Sequence, residues 1–348
     1  MNFKHQLITI ILLFTTGINT LFINSTSEFW NDTSASASSI SNEVFNAMAR
    51  AADYASLSYL TQGNLLKLGN IKDACLCTLC TDSYSGVSVE KIYSGIVSGV
   101  ILKDDYRREI ILSIKGTTTN TEWLLDFNFT PIPYRPFSRS KNGWKKYLGT
   151  NKECKNCGVH RGFYDAAKII YDNLFPTLLK LSNENLNYKI VLTGHSLGGA
   201  LAPFIATECL LMGKYPTVVT FGAPKIGNSK FSSWMDEIWE TKNNYASLDA
   251  GYIGDKNPTY FRVTHRGDYV PLVPTQQMGY RHCGIDIYFN INELPFDTLQ
   301  VELKNSPSRD MTTKEFNELK NSIEEYNKVP DTHLLYFIKM NQCYFSTH

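Results

Sequence analysis

Net charge is nearly absent from this chain of 348 residues: 34 lysines and arginines stand against 33 aspartates and glutamates, a balance of +1. Without a basic excess there is little to neutralise phosphates, so nucleic acid is not expected as a partner. Internal repeats are also lacking, which excludes a solenoid or propeller built from copies. Nor is there a long unbroken apolar run. Residues 7–14 are too few for the ~20 residues that cross a bilayer, and extension to Ile23 crosses Thr15, Thr16, Gly17 and Asn19.

That short run has another reading. Lys4 and His5 precede it, and small or polar residues follow, which is the layout of a secretory leader. We expect residues 1–27 to be a signal peptide cleaved between 17 and 27, and the Ser/Asn/Thr-rich residues 28–42 to be loose. Residues 43–348 should form one domain, since a 43% hydrophobic chain of this length can bury one large core. Export agrees with three glycosylation sequons, at Asn24, Asn31 and Asn128. It also bears on the eight cysteines. Cys77-x-x-Cys80 and Cys154-x-x-Cys157 lie too far apart for a usual zinc ribbon, and an oxidising route favours disulfides, so no metal is expected.

The rest of the chain is organised around Gly194-His-Ser-Leu-Gly198. Residues 188–193 before it have the apolar, β-branched character of a buried strand, and residues 196–213 after it carry Ala, Leu and Met at helical density. A chain that passes from strand to helix in one step strains its middle residue, and the neighbours two places away must be small. Ser196 would then stand exposed beside a helix N-terminus, with the Leu197 N–H placed to bind an oxyanion. A phosphate loop would continue with Lys and Ser/Thr, whereas Gly199 and Ala200 follow here.

A serine needs a base, and the base an orienting acid; on an elbow fold the chain order is Ser, Asp/Glu, His. Asp268 follows an apolar strand by a few residues and precedes a stiff Pro-containing loop. Asp236 sits in a helix pattern, Asp249 and Asp255 in polar loop, and Asp286 within a strand. Among later histidines, His265 precedes Asp268, His348 ends the sequence, and His282 reads as a core residue. His333 opens the last apolar segment and is preferred.

The remaining pattern alternates strands and helices, the mark of an α/β domain with a mainly parallel sheet. A helix is expected from about 42 to 59, then a Cys-rich loop over 63–83. Strands at 91–102 and 109–115 should form a hairpin about the polar residues 103–108. Further strands are expected at 217–221, 259–264 and 285–290, and further helices to about 181, over 228–240 and over 314–326, with polar loop at 243–255. Pro203 should bend the elbow helix. The apolar stretch 122–129 follows a strand end, where such sheets place ligands, and reads equally as a core turn or a lid.

Five ordered segments now carry a family resemblance. Thr193-Gly-His-Ser-Leu-Gly-Gly-Ala200 resembles the elbow of the class 3, fungal-type triacylglycerol lipases. Ile114-Lys-Gly-Thr-Thr118 resembles their oxyanion loop, with Trp123 at the distance of the lid tryptophan. Residues 218–228, 262–274 and 331–337 resemble their post-elbow loop, acid segment and base segment. The resemblance covers residues 45–345 and implies an α/β-hydrolase fold with Ser196, Asp268 and His333 as triad. It implies Thr117 and Leu197 as oxyanion donors, Asp126 as a polar partner of Thr117, and a lid including Trp123, Leu124, Leu125 and Phe127. No cofactor and no obligate protein partner are implied. It places Cys77–Cys80 and Cys154–Cys157 where some members have short bridges, and suggests a Cys75–Cys343 bond; Cys209 and Cys283 read as buried thiols.

The implied activity is that of a secreted serine ester hydrolase, a triacylglycerol lipase at a lipid interface. A phospholipase A1, a galactolipase or a feruloyl-type esterase would use the same groups. The apolar 123–129 stretch favours a lipid surface, which alone would offset its exposure. A catalytically silent lipid-binding protein on the same fold would normally have lost Ser, Asp or His, and all three are present.

Overall fold

The computed structural model describes residues 40–63, 65–75, 84, 86–117, 131–138, 153–249, 257–304, 309–326 and 330–341. All of them belong to one compact unit, Ala35–His348.

In chain order the elements open with helix α1 (Asn42–Leu57), capped by the Ser41 side chain, which accepts from the Val44 N–H. The edge strand β1 (Gly69–Asn70) and the short helix α2 (Ile71–Ala74) lead to strands β2 (Val87–Tyr93), β3 (Gly99–Asp104) and β4 (Glu109–Ile114). Next come β5 (Pro131–Pro133), β6 (Gly158–His160), the long helix α3 (Arg161–Glu184), strand β7 (Lys189–His195) and the elbow helix α4 (Leu197–Leu211). Then follow β8 (Thr217–Phe221), β9 (Gly227–Asn228), α5 (Ser229–Ile238), α6 (Thr241–Asp249), β10 (Thr259–His265), β11 (Tyr280–Arg281), β12 (Ile285–Phe289) and β13 (Val301–Lys304). Helix α7 (Thr313–Tyr326) and the small pair β14 (Leu335–Tyr336) and β15 (Ile338–Lys339) complete the described chain.

Nine strands form one sheet in the order β1-β2-β3-β4-β7-β8-β10-β12-β13. The five central strands from β4 to β12 run parallel, and the flanking pairs are antiparallel. Alternation along the strands feeds two cores. Ile190, Leu192 and Val218 pack with α3, α4 and α5, while Val191, Val219 and Phe221 point to the α1 side. Helices on both faces of a largely parallel sheet make this an α/β fold, as the alternation of elements predicts. The elbow helix is buried along its whole length from Gly198 to Leu211, as its apolar composition on every side requires. It runs as one helix through Pro203. Two sheet hydroxyls tie α1 to the other face: Ser113 Oγ donates to the Tyr54 carbonyl at 2.7 Å and Thr193 Oγ1 to the Ala51 carbonyl at 3.1 Å.

Several details depart from expectation, among them β1 and α2, which fall in the stretch 63–83 read as loop. The single strand read at 91–102 is two strands, because the chain reverses between Tyr93 and Gly99; the apolar Ile96 and Val97 inside this turn disguise it. The stretch read as loop at 243–255 begins as helix α6, held where Asn244 Nδ2 donates to the carbonyls of Trp239 and Pro258, both at 2.8 Å. Strand β13, which was not expected, alternates buried Val301 and Leu303 with half-buried Glu302 and Lys304.

Candidate active site

The parallel strands end together, and the candidate residues collect at that edge. Register pairs Ile114 with Gly194 and His195 with Phe221, so the loops after β4, β7 and β8 are neighbours. Ser196 lies between β7 and α4 with φ 57° and ψ −123°, in the sparsely populated backbone region that a sharp strand–helix step enforces. Its N–H donates to the Phe221 carbonyl at 2.8 Å. The glycines are obligatory here: a Cβ on Gly194 would come within 2.4 Å of the Gly198 backbone, and one on Gly198 within 1.9 Å of the Ile114 carbonyl oxygen. Leu197 is the first residue of α4, so its N–H has no intrahelical acceptor and faces the helix's positive end.

Asp268 and His333 are 65 residues apart in sequence and meet in the interior. His333 Nδ1 lies 3.0 and 2.9 Å from the two carboxylate oxygens of Asp268. Carboxylates only accept at neutral pH, so Nδ1 carries a proton, and in the neutral ring Nε2 is the nitrogen with the lone pair. That Nε2 is buried and, among the described residues, has no hydrogen-bond partner. Asp268 also accepts from the Val270 N–H at 3.0 Å and from the Tyr336 hydroxyl. Burial pushes the carboxyl pKa up, but the His333 imidazole, His265 and the Tyr336 hydroxyl outweigh it and hold it at about 2. Gly222 brings the β8 loop against this pair: at φ 58°, a Cβ there would meet Asp268 Oδ2 at 2.8 Å and His333 Cε1 at 2.9 Å. The rings of His195 and His333 stand 4.5 Å apart. Ser196, Asp268 and His333 are each buried, and the segments that carry them meet where His195, next to Ser196, lies against His333, and His333 against Asp268.

Thr117, three residues past β4, is half-buried on the adjoining loop. Trp123, Leu124, Leu125, Asp126, Phe127 and Asn128 lie outside the described residues, as do Asn24, Asn31, Cys77, Cys80 and Cys343. Cys154 and Cys157 are joined by a disulfide, and Cys75 is disulfide-bonded. Cys209 and Cys283 are free and buried. Among the described residues no cluster of His, Cys, Asp and Glu could hold a metal ion, and no helix is long and apolar enough to cross a membrane.

Two other described histidines, His282 and His265, have structural partners. His282 Nε2 donates to the Pro271 carbonyl at 2.7 Å, and burial beside Arg262 and Lys225 drives its pKa well down. Both ring nitrogens of His265 face carbonyls, of Arg266 at 2.8 Å and of Thr332 at 2.9 Å, which ties β10 to the segment bearing His333. Sequence reasoning did not find Tyr336, because a hydroxyl donor to a distant carboxylate leaves no periodic signal.

A strained serine at a strand–helix elbow and a buried Asp–His pair on the same edge define the α/β-hydrolase class. Comparison with known proteins narrows this. The family model for lipase (class 3) matches residues 111–278. The LIH1 protein of Saccharomyces cerevisiae is 33% identical over 253 residues, which cover 71% of this chain and 74% of that protein. A secreted mono- and diacylglycerol lipase 2 of Gibberella zeae is 28% identical over 72% of this chain and 57% of its own length, so the chain spans little more than half of that relative. Among solved structures, Lip2 lipase of Yarrowia lipolytica superposes with a TM-score of 0.69 at 26% identity, over 89% of this chain and 98% of that one. The chain belongs to the class 3 lipase family of serine ester hydrolases.

Proposed function

We propose that this protein hydrolyses acylglycerol esters at a lipid–water interface, with Ser196 as nucleophile, His333 as general base and Asp268 as its orienting acid. The observation that carries this reading is the buried His333 Nε2, without a hydrogen-bond partner among the described residues, while the Asp268 carboxylate takes the proton of the opposite nitrogen. In the reaction His333 Nε2 takes the Ser196 hydroxyl proton as Oγ attacks the ester carbonyl. The Leu197 N–H and the loop at Thr117 stabilise the oxyanion; loss of one such donor typically costs ~10²–10³ in turnover. The imidazolium then gives its proton to the leaving alcohol. Water, deprotonated by His333, releases the fatty acid from the acyl-enzyme. Asp268, already low in pKa, stays ionised and stabilises the imidazolium throughout.

An acylglycerol substrate is supported by the Gibberella relative, named for mono- and diacylglycerols, and by the apolar 123–129 stretch that would cover the edge. Secretion is supported by the leader-like residues 1–27, the Cys154–Cys157 disulfide and the naming of that relative as secreted. The test is a panel of emulsified tri- and diacylglycerols, phosphatidylcholine, a galactolipid and a feruloyl ester. Acylglycerols should turn over fastest, with a rate jump above the solubility limit of a short-chain ester. Preference for the feruloyl ester with no such jump would overturn the reading.

A further inference from the structure

The residue between Gly194 and Ser196 has no part in the chemistry, yet it is the most elaborately bonded side chain of the elbow. His195 is buried, and its Nε2 lies 2.7 Å from the main-chain carbonyl oxygen of His333. A carbonyl can only accept, so Nε2 carries the hydrogen and Nδ1 is an acceptor. The donor to Nδ1 is the Tyr59 hydroxyl, at 2.7 Å. The Gly116 backbone lies directly against the Tyr59 oxygen. Only glycine can stand at 116, because a Cβ there would meet the Tyr59 hydroxyl at 2.3 Å and the His195 carbonyl oxygen at 2.7 Å. Two bonds run in one direction, Tyr59 O–H to His195 and His195 N–H to His333, and the Gly116 backbone packs on the Tyr59 oxygen at the head of them.

The two ends are informative. Gly116 precedes Thr117 on the loop that flanks Ser196, and His333 is the base. The middle comes from the short turn Ser58–Thr61, just after α1, which is itself bonded to the sheet through Ser113 and Thr193. We infer that Tyr59 and His195 are positioning residues, which lock the backbone of the base and the backbone of the oxyanion loop to the elbow in one geometry. This inference rests on the triad reading given above. His195 serves this purpose as a neutral ring: burial pulls its pKa to about 3, so it does not titrate where a catalytic histidine works. Tyr59 and His195 touch neither substrate nor Ser196 Oγ in this scheme. They act by holding the base and the oxyanion donors within the few tenths of an ångström that catalysis demands.

The test compares Tyr59→Phe, His195→Leu and His195→Gln, the last keeping an N–H donor and an oxygen acceptor. Each is assayed on a soluble p-nitrophenyl ester and by its rate of inactivation with an organophosphate. The end point of labelling counts reactive sites, so a partly folded sample does not mimic a slow one. We expect kcat and the inactivation rate to fall about tenfold or more in Tyr59→Phe and His195→Leu, with KM within about twofold, and His195→Gln to recover most of the loss. If His195→Leu does not fold, Tyr59→Phe against His195→Gln decides. A kcat unchanged within about twofold, or a loss confined to KM, overturns the inference. Ser196→Ala separates the two levels: full activity in that variant would sink the triad itself, whereas an inactive Ser196→Ala beside a fully active Tyr59→Phe would remove the positioning role alone.

Discussion

The Tyr336 hydroxyl donates to Oδ2 of Asp268, the same oxygen that lies 2.9 Å from His333 Nδ1. Tyr336 is fully buried, three residues beyond His333, and its ring stands 4.7 Å from that of His265. One short segment therefore supplies both the candidate base and a second donor to the acid that orients it. The carboxylate is held by His333, Tyr336 and the Val270 N–H, which fixes its plane and keeps it ionised although it is buried.

Removal of that second donor should be felt in both stability and rate. Tyr336→Phe leaves the ring packing in place but takes one hydrogen bond from a buried carboxylate. Bonds to charged groups are worth about 1.5–3 kcal/mol, so unfolding in urea should shift by that order. Ester hydrolysis should fall about tenfold as Asp268 loses definition. An unfolding midpoint and kcat both equal to those of the native protein would show that the bond is idle.

The pH dependence of stability follows from three buried groups. His195 is held at about 3 in the fold against 6.5 for an unburied ring, and His282 is shifted in the same direction. As pH falls below 6.5 the unfolded chain takes protons that the folded chain refuses, so stability declines. Asp268 adds a second stage: its folded pKa of about 2 lies below the ordinary 3.8, so the stability it contributes is present above 3.8 and lost as pH falls toward 2. Urea titrations between about pH 7 and pH 5 should show the first stage, and His282→Gln should make the decline shallower by up to about 1.4 kcal/mol per pH unit. An identical slope in that variant would contradict a neutral His282.

Two glycine substitutions should behave very differently. Gly198→Ala places a methyl group 1.9 Å from the Ile114 carbonyl oxygen, a backbone atom that cannot move aside without breaking the β4–β7 register. This variant should not yield soluble, cooperatively folded protein. Gly162→Ala, in the first turn of α3, meets only the edge of the His160 ring at 3.3 Å. It should stay within about 1 kcal/mol of native stability, since helix propensity there favours alanine. Circular dichroism melts of the two variants make the comparison.

Much of this site is legible in the amino-acid order because steric necessity writes it there. Gly194 and Gly198 are glycines since nothing larger fits, and the strand before them and the helix after them have unmistakable apolar density. Asp268 can be found because it follows β10 closely, and His333 because it opens an apolar segment in the right chain order. Tyr59, His195 and Tyr336 are hidden for the opposite reason. Their meaning lies in hydrogen bonds across 136, 138 and 68 residues of sequence, and no local pattern announces such a bond. The reversal between β2 and β3 and the helix α6 are masked by composition: the first has apolar residues in its turn, and the second is polar and held by one asparagine, Asn244, whose side chain bonds to the carbonyls of Trp239 and Pro258.

The most direct measurement is hydrolysis of an emulsified diacylglycerol by native protein and by Ser196→Ala, paired with mass-spectrometric mapping of an organophosphate adduct. The adduct should fall on Ser196, and turnover by the variant should drop by ~10⁴–10⁶ with the fold intact. Undiminished turnover by Ser196→Ala, or stoichiometric labelling of a different residue, would contradict the assignment of Ser196 as the nucleophile.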